Sequence, residues 1–360
     1  MKKRVLLGMS GGIDSSISAL LLLEQGYEVI GATMSFWDNR IAFSDWPRHG
    51  CYGPHERENI AAAEQICRQN GIPHHIISLH TEFSQCVLSY FCSTYLDGKT
   101  PNPCVRCNQQ IKFGFFIQKA REQGLEFDLF ATGHYARVKN DPASGRWQLL
   151  RAADPLKDQS YFLSYLSQEQ LSQTIFPLGG MTKGEVRKLS ADKGLGHLQD
   201  KDESQDFLNE EVYNLVFPQE VFRPGDIVDP EGKVLGRHRG LLHFTIGQRK
   251  HLGISGMPEP YYVTAIDAAE NRIVVGPQSL LYADKLVAER VNWVSIPGLE
   301  SELRAETKIR LGHEAAPCVL RPLENGQVEV VFDEPQLSIT PGQVAVFHAG
   351  EVILGGGTIV

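Results

Sequence analysis

The chain has 360 residues, 42% of them apolar and 22% charged, an ordinary balance for a globular protein, and its length predicts two or three domains. No apolar run is long enough to span a bilayer and no secretory leader precedes the first core strand, which argues against a membrane or exported protein and for a cytoplasmic one. A formal charge of −8 speaks against binding nucleic acid over the whole surface but not on a local basic face; seven cysteines are too few for a disulfide scaffold, leaving core residues, metal ligands or reactive thiols.

In chain order, Arg4-Val5-Leu6-Leu7 reads as a buried strand and Ile17 to Glu24 as a helix stopped by Gly26. Between them lies Gly8-Met9-Ser10-Gly11-Gly12-Ile13-Asp14-Ser15-Ser16. Adjacent glycines let backbone approach a ligand closely. Ser10, Ser15 and Ser16 offer hydroxyls, and the opening helix aims its N–H groups at the same spot. This is an anion site, suited to phosphate or pyrophosphate. It is neither a Walker A loop, since no Gly-Lys-Ser/Thr follows, nor a G-x-G-x-x-G turn.

Tyr27 to Met34 reads as a second strand, and 36–53 as a long aperiodic functional loop with Cys51 near its end. Glu56 to Asn70 is an amphipathic helix with Ile60, Ala63, Ile66 and Cys67 on one face. His75 to Leu79 is a strand, and Glu82 to Tyr95 a helix carrying Cys86 and Cys92. Thr100-Pro101-Asn102-Pro103 breaks the chain before a helix that starts at Cys104-Val105-Arg106-Cys107-Asn108 and continues through Ile111 to Glu122. Phe127 to Thr132 is a strand closed by Gly133-His134. The alternation predicts an α/β fold with a doubly wound parallel sheet and sites at the carboxyl ends of its strands. After about residue 205, Gly and Pro punctuate short β-rich runs, predicting two small β-rich domains; the expected division is 1–205, 206–283 and 284–360.

Cys104 and Cys107 stand one turn apart at a helix N-terminus, where the helix dipole lowers a thiol pKa. Such a pair serves as nucleophile, sulfur carrier or metal ligand. Beside an anion loop it points to sulfur transfer, which needs an activated acceptor and a reactive sulfur. Cys67, Cys86, Cys92 and Cys318 read as packing residues. Arg237, His238, Arg239, Arg249, Lys250 and His251 form a basic cluster in an otherwise acidic chain.

The Ser-Gly-Gly-x-Asp-Ser-Ser turn resembles the PP-loop of ATP pyrophosphatases. Together with Thr100 to Asn108 and Ile111-Lys112-Phe113, Ala131 to Tyr135, Lys157 to Leu163, Thr182-Lys183, Glu203-Ser204, Thr245 to Arg249 and Pro341-Gly342-Gln343, it resembles the MnmA/TrmU family of tRNA-specific 2-thiouridylases nearly end to end. The resemblance implies a PP-loop catalytic domain, of the adenine nucleotide alpha hydrolase-like kind, a central β domain and a C-terminal β-barrel. It implies that ATP, with Mg2+, activates the 2-carbonyl of the wobble uridine before sulfur replaces the oxygen. By position, ATP would meet Gly8, Met9, Ser10, Gly11, Gly12, Ile13, Asp14 and Ser15, with Met34 and Gly133, and Asp14 would serve catalysis. Asn102, Pro103 and Cys104 would line the target base, with Cys107 carrying sulfur. His134, Lys157, Asp158, Gln159, Arg310, Leu311 and Gln343 would touch tRNA, although Leu311 stands where Tyr is common. The sulfur donor would be a cysteine desulfurase, a relay protein or inorganic sulfide.

One departure bears on mechanism. The family's second catalytic cysteine follows Glu-Ser-x-Asp-Ile, and here Leu208 holds its place; no cysteine occurs between Cys107 and Cys318. Cys104 also replaces a commonly acidic residue. The expectation is a 4Fe–4S cluster on Cys51, Cys104 and Cys107, because soft thiolates suit iron. The alternatives are a Cys104/Cys107 dithiol or zinc on the same thiols. For the whole chain, the other readings are a PP-loop amide-forming synthetase or a tRNA-binding paralogue without activity.

Overall fold

The computed structural model describes residues 2–37, 51–198, 207–208 and 213–360, without the side chains of Asn214 and Glu220. Most of the loop expected over 36–53, and the Glu203-Ser204 motif, lie outside the described residues. Contacts divide the chain into two units. The first holds Met1–Val87, Cys104–Asn209 and Glu351–Ile353; the second holds Leu88–Pro103, Glu210–Gly350 and Leu354–Val360.

The first unit is built on β1 (Arg4–Gly8), α1 (Ile13–Glu24), β2 (Glu28–Ser35), α2 (Glu56–Gln69), β3 (His74–Ser78), α3 (Phe116–Glu122), β4 (Leu129–Ala131), β5 (Arg137–Asn140), β6 (Trp147–Leu150), β7 (Thr174–Ile175) and α4 (Lys183–Asp192). Its sheet runs β3-β2-β1-β4-β7, every neighbour parallel. The expected doubly wound sheet is there, and its cause is local. Val5, Leu6 and Leu7 are sealed on both faces, as a central parallel strand requires. Ile17, Ala19 and Leu22 of α1 pack into the same core as Val186 of α4, and α2 buries the expected Ala63, Ile66 and Cys67. The strand order reverses between β1 and β4, so the loops after Gly8 and Ala131 leave the sheet's carboxyl edge at the switch point.

Two departures from the sequence reading matter. The helix expected over Glu82 to Tyr95 contains a π-helical turn at Ser84–Leu88, and the one after Cys104 is π-helical from Cys107 to Phe115. Wide i→i+5 turns of this kind leave no trace in hydrophobic periodicity and occur at functional sites. An antiparallel hairpin, β5 and β6, was also unforeseen; β6 pairs with Val352 and Ile353.

The second unit begins with the helix Ser89–Leu96. It continues with β8 (Gly225–Val228), β9 (Val234–His238), β10 (Tyr261–Asp267) and β11 (Arg272–Pro277), in the order β10-β11-β8-β9. Ile227, Phe244, Leu252, Val263, Ile273 and Val275 form this module's core. Then follow β12 (Tyr282–Trp293), β13 (Leu303–Lys308), β14 (Ala316–Pro322), β15 (Val328–Leu337), β16 (Val344–Ala349) and β17 (Val352–Ile359). They run β12-β15-β14-β13-β16-β17, and β17 pairs back onto β12, closing a barrel without free edges. Alternating strands fill it with Ala288, Leu320, Val330, Phe332 and Phe347. Among the described residues no helix is long and apolar enough to cross a membrane.

Candidate active site

The glycine turn after β1 needs its glycines in different degrees. Gly11 has φ +70°, and a Cβ there would stand 2.3 Å from the Asn59 carbonyl oxygen. Gly12 is extended and is the N-cap of α1, without a side-chain cap. The first-turn N–H groups of Ile13 and Asp14 therefore face the loop rather than a capping oxygen. The three serines are not equivalent, contrary to the sequence reading. Ser16 is sealed and its hydroxyl donates to the Gly12 carbonyl at 2.8 Å; Ser15 donates to the same oxygen at 3.1 Å. Both fold the loop. Ser10 Oγ lies 3.1 Å from Ser15 Oγ and is the exposed hydroxyl of the set.

Asp14 is tied into a network that the sequence reading did not foresee. Lys183 Nζ donates to both carboxylate oxygens, at 2.8 and 2.9 Å, and the Tyr135 hydroxyl donates at 2.8 Å. Lys183 is placed by a capping box: Thr182 and Glu185 bond reciprocally at the start of α4, and the Lys183 N–H donates to Asp154. The sequence reading took Thr182-Lys183 only as part of the resemblance; that Lys183 opens a helix and reaches the loop after β1 was not foreseen. From the other side, Gly133 lies so close that a Cβ would meet backbone atoms of Asp14 and Ser15 at 3.0 Å. Met34, half-buried near the end of β2, completes the carboxyl-edge set.

Cys51, Cys104 and Cys107 belong to the same unit. Burial pushes the Cys107 thiol up to about 11, with Lys112 pulling down and Cys104 pushing up. Burial pushes Cys51 up to about 12, with further upward pushes from Cys104 and then Cys107 and an opposing pull from Lys112. Cys51 is exposed as a residue, yet its thiol is ringed densely enough that desolvation dominates. The expectation of thiols acidified by a helix dipole is thus corrected for Cys107: burial outweighs the dipole. The Cys51 thiol donates to the Phe207 carbonyl at 3.7 Å. It therefore sits beside Leu208, where the sequence resemblance leads one to expect a second cysteine. The neighbouring Tyr52 stacks on Phe83 at 5.4 Å, and Phe83 meets Phe207 in a tilted contact at 6.0 Å. Among the described residues, no three His, Cys, Asp or Glu side chains are gathered as a metal site.

Lys112 follows Cys107 by one π-turn and also faces His134. Burial, and then Lys112, hold the His134 imidazole well below its ordinary value. His134 Nδ1 lies 2.7 Å from Thr132 Oγ1, and its ring packs against Phe113 and Phe176. Asp158 accepts from the Ala152 and Ser160 N–H groups and from Arg151, and Gln159 accepts from the Tyr135 N–H. These two side chains hold the loop that follows His134, while Lys157 stays half-exposed beside the open Leu156.

In the second unit, Gln343 clamps the chain break. Its amide nitrogen donates to the carbonyls of Pro101 at 2.9 Å and Thr100 at 3.3 Å, and its oxygen faces Asn102 Nδ2 at 3.4 Å. The Pro341 carbonyl accepts from the Thr100 N–H at 2.8 Å, and Thr100 and Thr245 hydroxyls bond at 2.6 Å. Three motifs far apart in sequence thus meet at the residues leading into Cys104. Asn102 and Pro103 are buried, whereas Arg310 is half-exposed and Leu311 exposed on the turn after β13.

Comparison with known proteins agrees along the whole chain. Residues 3–209 match the model of a tRNA methyl transferase HUP domain, 214–277 a tRNA methyl transferase PRC-barrel domain and 283–359 an aminomethyltransferase beta-barrel domain. Proteins named tRNA-specific 2-thiouridylase MnmA are similar over nearly the full length. The one from Geotalea uraniireducens is 46% identical over 99% of this chain and 95% of its own. That from Trichormus variabilis is 46% identical over 99% and 98%, and that from Heliobacterium modesticaldum 43% over 100% and 93%.

Proposed function

The chain belongs to the family of tRNA-specific 2-thiouridylases, and from that premise we propose that it is an ATP-dependent tRNA-uridine 2-sulfurtransferase. ATP lies on Gly8 to Ser15, between Met34 and Gly133. The 2-carbonyl oxygen of a wobble uridine attacks the α-phosphorus and expels pyrophosphate. Sulfur then bonds to C2, and AMP leaves with the original oxygen. The observation that carries the reading is a turn whose N–H groups are pre-set for pyrophosphate by the Asp14–Lys183–Tyr135 network, in one unit with three neighbouring thiols. Mg2+ enters with the nucleotide in this reading: both Asp14 oxygens are on Lys183, so phosphate oxygens and water would be its ligands.

Asn102, Pro103 and Cys104 present the target base, with the first held by Gln343. His134, Lys157, Arg310 and Leu311 touch the RNA, while Asp158, Gln159 and Gln343 act by shaping the loops that do. The neutral His134 donates or accepts a hydrogen bond without adding charge.

Sulfur chemistry falls to Cys51, Cys104 and Cys107, which would hold a 4Fe–4S cluster. The chemistry of the donors supports it: Cys104 and Cys107 both push Cys51 up and Cys104 pushes Cys107 up, so three soft thiols feel one another, although among the described residues they are not gathered as a metal site. When bound, the cluster supplies sulfur without a second resolving thiol, which Leu208 removes. The competing dithiol reading draws on Cys104 and Cys107 alone, one turn apart, and on the absence of a gathered three-ligand set among the described residues.

Pyrophosphate release that depends on unthiolated tRNA tests the overall reading: release with a small carboxylate instead points to an amide-forming synthetase, and tRNA binding without release to an inactive paralogue. Anaerobic purification with iron and sulfide assays and an absorption spectrum tests the cluster. Iron lost in Cys51→Ala, Cys104→Ala and Cys107→Ala alike supports it; full activity of iron-free protein or of Cys51→Ala removes it in favour of the dithiol.

A further inference from the structure

The central module of the second unit carries a cavity of about 360 Å3, lined among others by Arg237, Arg239, Phe244, Gln248, His251 and Leu252. Its chemistry is sharply divided. Phe244 and Leu252, each 5% exposed, form an apolar floor. Arg237 and Arg239 flank the buried His238 at the end of β9, and both stand open at the rim. His238 contributes no charge: its Nδ1 accepts from the Gly240 N–H and its Nε2 donates to the Asn271 carbonyl, while burial holds it below its ordinary pKa. Gln248 is pinned, accepting from the Thr245 N–H and donating to the Lys250 carbonyl. His251 sits at φ 63°, a left-handed conformation costly for this residue type, which turns it onto the rim.

The charge pattern is equally one-sided. From Gly232 to Pro258 there are five Lys or Arg residues and no Asp or Glu, in a chain with 43 acidic and 35 basic residues overall. Among the described residues, Arg237 has an ion pair with Asp226 at 3.6 Å, both side chains largely exposed, a pair of little strength. A volume near that of one nucleotide, an apolar floor and a cationic rim are complementary to a base with its phosphate.

We infer that this cavity binds one phosphodiester-linked nucleotide of the substrate RNA, its phosphate on Arg237 and Arg239 and its base over Phe244 and Leu252. The site is a second RNA contact, separate from the residues that present the target base. The inference rests on the reading of tRNA as substrate.

The test is tRNA binding by fluorescence anisotropy between about 50 and 300 mM salt, with wild type, Arg237→Gln/Arg239→Gln, His251→Asn, and Arg304→Gln/Arg321→Gln as a control. The control removes the same charge from barrel strands, where both arginines are paired with carboxylates. Losing two phosphate contacts lowers the log–log salt slope of the Arg237/Arg239 variant by about 1.4–1.8. His251→Asn, which tolerates the left-handed backbone, weakens binding by a smaller factor. ATP affinity and melting temperature stay at wild-type values. An unchanged slope in the Arg237/Arg239 variant overturns the inference, as does an equal fall in the control. Uridine monophosphate that binds wild type and is lost in the variant, with tRNA binding intact, overturns it in favour of a free-nucleotide site. Wild-type protein that binds no tRNA overturns the RNA reading itself, and the variants then have nothing to report.

Discussion

Replacing Lys183 by Met keeps the aliphatic stem and deletes the charge that holds Asp14. Lys183 is 8% exposed at its side chain and donates its ammonium to both Asp14 oxygens, so the change leaves the carboxylate, among the described residues, with the Tyr135 hydroxyl as partner. Removing one member of a fully buried pair costs about 3–5 kcal/mol. Asp14 is 28% exposed, so water repays part of that loss, and we expect about 2–3 kcal/mol. Urea unfolding would read this as a lower midpoint at unchanged slope. The double-mutant cycle with Asp14→Asn isolates the pair; we expect a coupling of about 1.5–3 kcal/mol. The same carboxylate fixes the first turn of α1, so tRNA-dependent pyrophosphate release should fall by roughly 10²–10³ in either single variant. A coupling under about 0.5 kcal/mol, or Asp14→Asn with full activity, would refute the claim that this pair presets the turn.

Gly133→Ala puts a methyl against Asp14 and Ser15 backbone at 3.0 Å; because backbone yields little, we expect about 1–3 kcal/mol of destabilisation and weaker ATP binding, read by calorimetry. Gln343→Ala strips the carbonyls of Thr100 and Pro101 of their donor and should cost about 1–3 kcal/mol, with sulfur transfer impaired while ATP affinity holds; normal transfer would show that the clamp is dispensable. His134 is held neutral, its folded pKa below the unfolded 6.5, so its contribution is present above pH 6.5 and lost as pH falls through that value toward the folded pKa. His134→Asn should therefore flatten the acid limb of stability by at most about 1.4 kcal/mol per pH unit, measured by urea titrations across pH.

The parallel sheet was legible because a sealed central strand advertises itself as an unbroken apolar run, and the glycine turn because Gly11 admits no side chain. The π-turn at Cys107 was not, since a wide turn shifts one residue without altering composition. Nor was the acid–base state of the thiols. A helix start at Cys104 argues for acidity, but the burial that reverses it at Cys107 is a product of the folded packing and not of the local sequence. Lys183 shows the same limit: it stood only as a motif member, while its partner is 169 residues away. Gln343, Asp158 and Gln159 were legible as motif members, yet their side chains are spent on backbone, which only coordinates reveal.

The Gln343 clamp also sets a schedule. Asn102 and Gln343 are separated by 241 residues, so at about 5–20 residues per second of synthesis some 12–48 seconds pass between the emergence of one and the other. Once β7 and Lys183 have followed, the sheet and glycine turn of the first unit can be complete, while the segment entering Cys104 still lacks Gln343, the donor to its carbonyls. The ordering of the stretch that leads to the thiols therefore waits for the barrel, which is synthesised last. Ribosome-stalled chains ending before and after Gln343 should differ in protease sensitivity near Thr100 and not near Gly11, and equal sensitivity at Thr100 would dissolve the schedule.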